Sequence, residues 1–345
     1  MTRILLVGTG ITSAVTGALI KQKLPRADLI IWDKARGAGG RMSTARNPND
    51  ESCTLDLGAQ YISTTPDYAE VHRSYYEELQ KAGLLVPFSA KVGGMRPSNI
   101  EGTVHYVTPL GVSSLVKYYL GKINSKICYQ HHVEKIDYDK QKWIVRTQNG
   151  VEDNFDVVVL TMPVPQILGL TGKIKSIIEE NNLDEPLKEV EYSSRYALGL
   201  FFSKDSKISL SNGNIAEYIT DDPIMRFVSI DNLKRGRNDV NPSVVFHTSV
   251  PFGKAYVEKT PSEVEPILLA KVKEMFPHWP EPNRVKCHKW RFSQVSLSYP
   301  GLPGAIEIGK GLIAGGDGFT GSTFNSCIES AKTISNLVTQ YVLSL

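Results

Sequence analysis

The sequence predicts an α/β fold joined to a second, antiparallel-sheet α+β domain, and three observations predict it. The first 62 residues run strand, glycine turn, helix, strand: ILLVG, then GTGITS opening ITSAVTGALIKQKL, then DLIIWD. The C-terminal stretch repeats that grammar, with GLIAGGDG followed by a long helical pattern. Residues 170–300 instead carry SSRYALGLFF, RFVSID and SVVFHTSV, with one amphipathic helix near 262–276, the signature of a separate domain.

The elements between fill in this frame. PDYAEVHRSYYEELQKAG, 66–83, has a proline start, an acidic first half and a terminal glycine, which predicts a surface helix. A second helix is predicted over GVSSLVKYYLG, 111–121. From 126 to 160 the segments KICYQHHVEKIDYD, KWIVRTQNG and FDVVVLTMP predict an antiparallel meander ending in a buried strand that returns to the first sheet.

Composition bounds the function. At 345 residues the chain exceeds the usual size of one hydrophobic core. Its 41% hydrophobic and 22% charged residues exclude the disordered, collagen-like and coiled-coil classes. A net charge of +3 gives no case for a nucleic-acid partner. No apolar run approaches the ~18 residues of a membrane span, so no membrane partner is expected. Cys53, Cys128, Cys287 and Cys327 form no CxxC pair and read as free thiols, and the seven histidines contain no HExxH spacing, so no metal is expected. Arg3 with the apolar start imitates a secretory signal. Gly8 and Gly10 interrupt it at turn positions, which favours a retained N-terminus and a cytoplasmic protein over a secreted one.

The glycine turns carry the chemistry. Gly8, Gly10, Ile11, Thr12 and Ser13 lie where a strand hands over to a helix. There Gly8 permits the tight turn and Gly10 removes a side chain from the place where a pyrophosphate meets helix N-terminal amides. Ser13 stands where a third small residue is needed for helix-on-strand packing. Asp33 ends the second strand 25 residues after Gly8, the place of a carboxylate that accepts ribose hydroxyls and repels a 2′-phosphate. Lys34 follows it, and then Gly39-Gly40-Arg41-Met42 offers open amides and a guanidinium for a second pass along the diphosphate.

This Gly-Gly-Arg run resembles the glycine motif of FAD-dependent oxidoreductases of the amine oxidase superfamily. LDLGAQYI (55–62, with Gly58, Ala59, Gln60 and Tyr61) and AGGDGFTGSTFNSCIESA (314–331, with Gly316, Asp317, Gly318, Phe319 and Asn325) match the same superfamily. DKARGAGGRMSTA, VVVLTMPVPQIL, YSSRYALGLF, RFVSIDN, VVFHTSVPFG and KWRFSQV narrow the likeness to the renalase family, nearly end to end. The resemblance implies noncovalent FAD in a discontinuous glutathione-reductase-like Rossmann domain, residues 1–62, 103–166 and 300–345, with 63–102 and 167–299 as a substrate or lid domain. It adds Val133 and Thr161 to the cofactor set. It also implies oxidation of 2-dihydro- and 6-dihydro-NAD(P) to NAD(P)+, with hydride passing to flavin N5 and O2 reduced to hydrogen peroxide.

A dihydropyridine is already a strong hydride donor, so this chemistry asks for alignment and no catalytic base beyond the flavin. Arg226 and His247 sit in apolar strands where a polar side chain needs a partner, which substrate could supply. Gln60, Tyr61, Trp290 and Gln294 offer amides and ring faces to a nicotinamide. Three other readings stay open: a flavin-dependent amine oxidase, an extracellular receptor-binding signalling protein on a flavoprotein scaffold, and an NAD-dependent dehydrogenase, which would purify colourless.

Overall fold

The computed structural model describes residues 1–94 and 100–345 of the chain. The fold divides into two compact units. The first comprises Met1–Gly40, Leu115–Tyr192 and Gln294–Leu345, and the second Arg41–Ser114 and Ser193–Ser293.

The first unit is built on a six-stranded sheet in the order Ala305–Gly309, Leu312–Gly315, Val157–Leu160, Arg3–Val7, Asp28–Trp32, Lys126–Cys128. Arg3–Val7 lies in the interior, parallel to both neighbours, with Ile4, Leu5 and Leu6 fully buried. Its continuous apolar sequence is what a strand covered on both faces requires. Helix Ile11–Lys23 follows directly and packs on the long C-terminal helix Phe324–Ser344. Over the other side lies an antiparallel meander, Val133–Asp139, Lys142–Thr147 and Glu152–Phe155. Its Ile136, Trp143, Val145 and Phe155 join Leu5, Val158, Leu160 and Ile313's neighbours Leu312 and Ala314 in one core.

The expected meander over 126–160 is therefore real from Val133 onward, but its first piece goes elsewhere. Lys126–Cys128 pairs in parallel with Asp28–Trp32 and extends the nucleotide sheet. Only three residues long, it shows no alternation that could separate the two pairings. The helix expected over 66–83 is split into Pro66–Val71 and Arg73–Lys81, with His72 between them.

The second unit holds a six-stranded sheet ordered Arg284–Trp290, Arg195–Phe201, Ser243–Thr248, Met225–Ile230, Ala216–Tyr218, Val92–Gly93. One face buries Tyr196, Leu198, Leu200, Val228, Val244 and Phe246 with helix Pro261–Met275. That helix starts at a capping box, the Thr260 side chain accepting from the Glu263 amide and Glu263 accepting from Thr260. Part of the other face packs Ala197, Phe201 and Trp290 against Cys53 and Leu55 of the hairpin Thr44–Asn47 and Asp50–Asp56, and against Leu57 just after it. This hairpin was not evident in the sequence. All four cysteines are free thiols.

Candidate functional site

In the first unit the glycine turn is shaped by two different needs. Gly8 has φ +114, which L side chains rarely adopt, and a Cβ there would lie 2.6 Å from Thr161 Oγ1. Gly10 has an ordinary φ of −82, and nothing stands within 4 Å of where its Cβ would be. The protein itself therefore does not require glycine at position 10, and the open space there is what a ligand would fill. Helix Ile11–Lys23 begins at this space with no side-chain cap and no acidic residue in its first turn, leaving the partial positive charge of its N-terminus to an anion. Ile11, Thr12 and Ser13 are buried on the inner side of that turn.

The second glycine run folds onto the first. Gly40, at φ +54, would carry its Cβ 3.5 Å from Gly10 Cα, and Gly39 N–H donates to Thr9 O at 3.0 Å. Asp33 is held rigidly beside them. Its Oδ2 accepts from Thr9 N and Thr9 Oγ1, both at 2.6 Å, and its Oδ1 accepts from Ala35 N at 2.7 Å. A carboxylate so fixed still has lone pairs for ribose hydroxyls. Lys34 donates to Gln166 Oε1 at 3.0 Å, and burial lowers its pKa against the pull of Asp33. The residues present thus fit a dinucleotide: an uncapped helix end, a cradle left open at Gly10, and an oriented carboxylate.

The C-terminal turn is more tightly packed. Gly316 N–H donates to Ser330 Oγ at 2.7 Å, and Asp317 accepts from Ser322 Oγ at 2.7 Å and from Tyr192 OH at 3.4 Å. A Cβ on Gly318 would lie 2.8 Å from Val164 Cγ2 and 2.9 Å from the Tyr192 hydroxyl. Phe319 is fully buried beside Tyr299, with ring centroids 5.3 Å apart. Asn325 is buried in the first turn of the long helix, whose N-cap Thr323 accepts from Ser326 N. Val133 sits in the core, and Thr161 Oγ1 donates to Val7 O at 2.9 Å.

The remaining cofactor candidates belong to the second unit. Met42 is buried. Ala59 N–H donates to Arg41 O at 3.0 Å, and a Cβ on Gly58 would fall 1.9 Å from that same oxygen, so glycine at 58 is demanded by backbone contact. Below this segment lies a buried quartet of charges. Asp56 and Asp231 face Lys234 and Arg235: Lys234 Nζ stands 2.5 Å from Asp231 and 3.4 Å from Asp56, and Arg235 stands 2.5 Å from Asp231 and 2.9 Å from Asp56. Two charges of each sign compensate one another inside a region that water does not reach. Burial alone would raise the Asp231 pKa, yet Arg235 and Lys234 hold it below the usual carboxylate range.

Lys234 also donates to Gln60 Oε1 at 3.0 Å, while Gln60 Nε2 donates to Asp56 O and Gly58 O. Gln60 is thus occupied by the protein and locks the Gly58-Ala59-Gln60 turn in place. Tyr61 shares a hydrogen bond with the Tyr218 hydroxyl and stacks on Phe88, and burial pushes its pKa well up from the ordinary phenol value.

On the sheet face, His247 Nε2–H and Trp290 Nε1–H converge on one carbonyl, Leu57 O, at 2.9 and 3.0 Å. Accepting from both, that oxygen fixes the His247 tautomer with Nε2 protonated. Desolvation lowers the His247 pKa to about 4, with Arg195 adding to the effect. The strand register sets Phe227 and Ala197 on either side of His247, and the rings of Tyr218, Phe227 and His247 follow at 5.0 and 5.8 Å. Arg226, at a bulge in its strand, donates to Ile219 O at 3.1 Å. Tyr61, Arg226, His247 and Trp290 all belong to the second unit, whereas Gln294 is an exposed residue of the first. Sequence reasoning missed Arg195, Tyr218 and the charged quartet. Asp231, Lys234 and Arg235 at helical spacing were a legible local pattern, but nothing in the sequence announces that they are buried.

Comparison with known proteins identifies the family. Residues 6–79 match the NAD(P)-binding Rossmann-like domain, and residues 80–339 match the flavin containing amine oxidoreductase family. Renalase from Mus musculus is 40% identical over 347 residues, covering 99% of this chain and all of that protein. Among solved structures, one from Exiguobacterium sp. 255-15 assigned as a protoporphyrinogen oxidase superposes with a TM-score of 0.74 at 13% identity, over 98% of this chain and 99% of that one. A protein from Pyrococcus furiosus does so with a TM-score of 0.62 at 13% identity, over 97% of each chain. At that identity these structures speak for the fold alone. The chain belongs to the flavin containing amine oxidoreductases, and within them to the renalase family of FAD-dependent oxidoreductases.

Proposed function

We propose that this flavoprotein oxidises the 2-dihydro and 6-dihydro isomers of NAD(P)H to NAD(P)+, with O2 taken to hydrogen peroxide. The observation that carries the reading is the 40% identity to mouse renalase along essentially both full lengths. Bound FAD supplies the two-electron acceptor that takes the hydride and hands the electrons to O2. In the first unit, Gly10 and the uncapped helix end would receive its diphosphate and Asp33 its ribose hydroxyls, with Gly39 and Gly40 closing over them. We assign the first unit to the cofactor and the second to the substrate.

His247 and Trp290 would present the second unit's polar ring face to a nicotinamide, and Gln60 would act by positioning. His247 supports the reading in a further way. Burial, with Arg195 and Lys234 nearby, outweighs the opposing pull of the Leu57 carbonyl and lowers its pKa to about 4, which keeps it neutral at physiological pH. A neutral group beside the substrate suits a dihydropyridine, whose conversion to a pyridinium moves one hydride and no separate proton.

The name of the matched family favours a second reading, oxidation of an amine. Anaerobic stopped flow separates the two: the bound flavin should bleach with the dihydro isomers and stay oxidised with primary and secondary amines. Bleaching by amines alone would replace the first reading with the second.

A further inference from the structure

The second unit contains two guanidiniums that the fold brings together without giving either an anion. Arg195 opens the strand Arg195–Phe201 and donates from Nη1 to Thr248 O at 2.9 Å. Thr248 is paired with Met225, and the next residue, Arg226, sits at the bulge before Phe227. Arg226 donates from Nη1 to Ile219 O at 3.1 Å. Both side chains are half-buried, and neither has an ion-pair partner among the described residues. The carboxylate nearest in sequence, Asp222, is held by Lys271 at 2.6 Å and by the amides of Ile224 and Met225.

That arrangement differs from the other arginines whose side chains are engaged. Arg3 is held by Asp28 and Asp153, Arg146 by Glu152, Arg235 by Asp56 and Asp231, Arg237 by Asp239 and Arg291 by Glu258. Two like charges taken partly out of water repel and lose hydration together, and a carbonyl apiece does not offset that. Burial lowers the Arg195 pKa first, and the Arg226 charge lowers it further. Each guanidinium donates from Nη1 to a carbonyl and keeps a fork edge uncommitted to other described residues, the geometry that takes a phosphate in a bidentate grip. Beside them stand His247, Phe227 and Tyr218, ring faces able to accept a base or nicotinamide.

We infer that Arg195 and Arg226 form a diphosphate-binding subsite, the element that selects a dinucleotide substrate over an uncharged or cationic reductant. This rests on the proposed dihydro-NAD(P) reading and names the part of the substrate that the second unit recognises. A cationic amine would be repelled from the same place, which gives the pair a role in specificity as well as affinity.

The test uses FAD-loaded protein and adenosine diphosphate ribose, which carries the diphosphate and lacks a reactive ring. Binding is followed by calorimetry in Arg195→Gln, Arg226→Gln and, as a control for charge alone, Arg291→Gln, whose side chain is exposed and paired with Glu258. Flavin absorbance is recorded for each variant. We expect Kd to rise at least tenfold in the first two and to stay unchanged in the control, with a binding constant that weakens as salt is added. Equal affinity in all four proteins would overturn the subsite. So would loss of flavin from the Arg195 and Arg226 variants, because the pair would then serve the cofactor. If adenosine diphosphate ribose binds in the expected arginine-dependent way but no dihydro isomer bleaches the flavin, the subsite stands and the proposed reaction falls. If the isomers are oxidised and the arginines do not matter, the reverse holds.

Discussion

Gly10 and Gly58 show that glycine is kept for different reasons at positions that look alike in sequence. At Gly10 the backbone is ordinary and the surroundings are open, so a larger residue would meet only a ligand. Gly10→Val should leave the thermal midpoint of flavin-free protein within about 2 °C of the parent, since surface changes of this kind stay within ~0.5 kcal/mol. The same protein should be purified colourless. A yellow Gly10→Val protein would remove the diphosphate from this turn. At Gly58 a methyl group would overlap Arg41 O, so Gly58→Ala should destabilise the protein by roughly 1–3 kcal/mol or more in urea titration, whether or not flavin is present. Both glycines could be read from the sequence as motif positions. That one faces open space and the other meets Arg41 O could not, because only the fold sets those surroundings.

At the scale of elements, the buried quartet and the paired strands make two predictions. Lys234→Met would leave Asp56 and Asp231 to share Arg235, and breaking a buried ionic cluster from one side costs about 3–5 kcal/mol. A fall of that size in chemical denaturation is expected, together with weaker order in the Gly58-Ala59-Gln60 turn that Lys234 anchors. The strands bearing His247 and His288 set the acid limit. Burial lowers both imidazoles to about 4, with Arg195 assisting at the first and Lys286 at the second. Between their unfolded value of ~6.5 and 4 the unfolded chain binds protons that the folded chain does not. Stability should therefore fall with pH across that window, by up to about 1.4 kcal/mol per pH unit for each imidazole. Asp231, whose pKa is depressed, adds its own loss only below ~4. A urea midpoint that is flat from pH 7 to 5 would contradict the buried neutral histidines.

The same scale shows where the sequence stops being informative. Arg3–Val7, Val157–Leu160 and the turn before Phe324–Ser344 declare themselves through β-branched runs ending in glycine or a small residue. Lys126–Cys128 and the hairpin Thr44–Asp56 do not, because short strands take their identity from whichever neighbour they pair with. Arg195 lay in a segment that was recognised, YSSRYALGLF, and still was not singled out. Its significance is the absence of a carboxylate across three strands, which only the register of the sheet shows.

For the whole molecule, the matched families extend from residue 6 to residue 339, and the separated glycine turns at 8–10, 39–40 and 316–318 fall in the first unit. That unit collects them from its first and last stretches of chain, Met1–Gly40 and Gln294–Leu345, the organisation expected when one dinucleotide is served by a discontinuous domain. The central claim is that the dinucleotide held there is FAD and that it is reduced by the minor isomers of NADH. The most direct measurement is an anaerobic titration of the purified yellow protein with NADH that has been equilibrated to contain those isomers, following the flavin absorbance. The account predicts bleaching in proportion to the isomer content, completed while ordinary NADH remains in solution. Flavin that stays oxidised through the isomer content, or bleaches in proportion to total NADH, would contradict it.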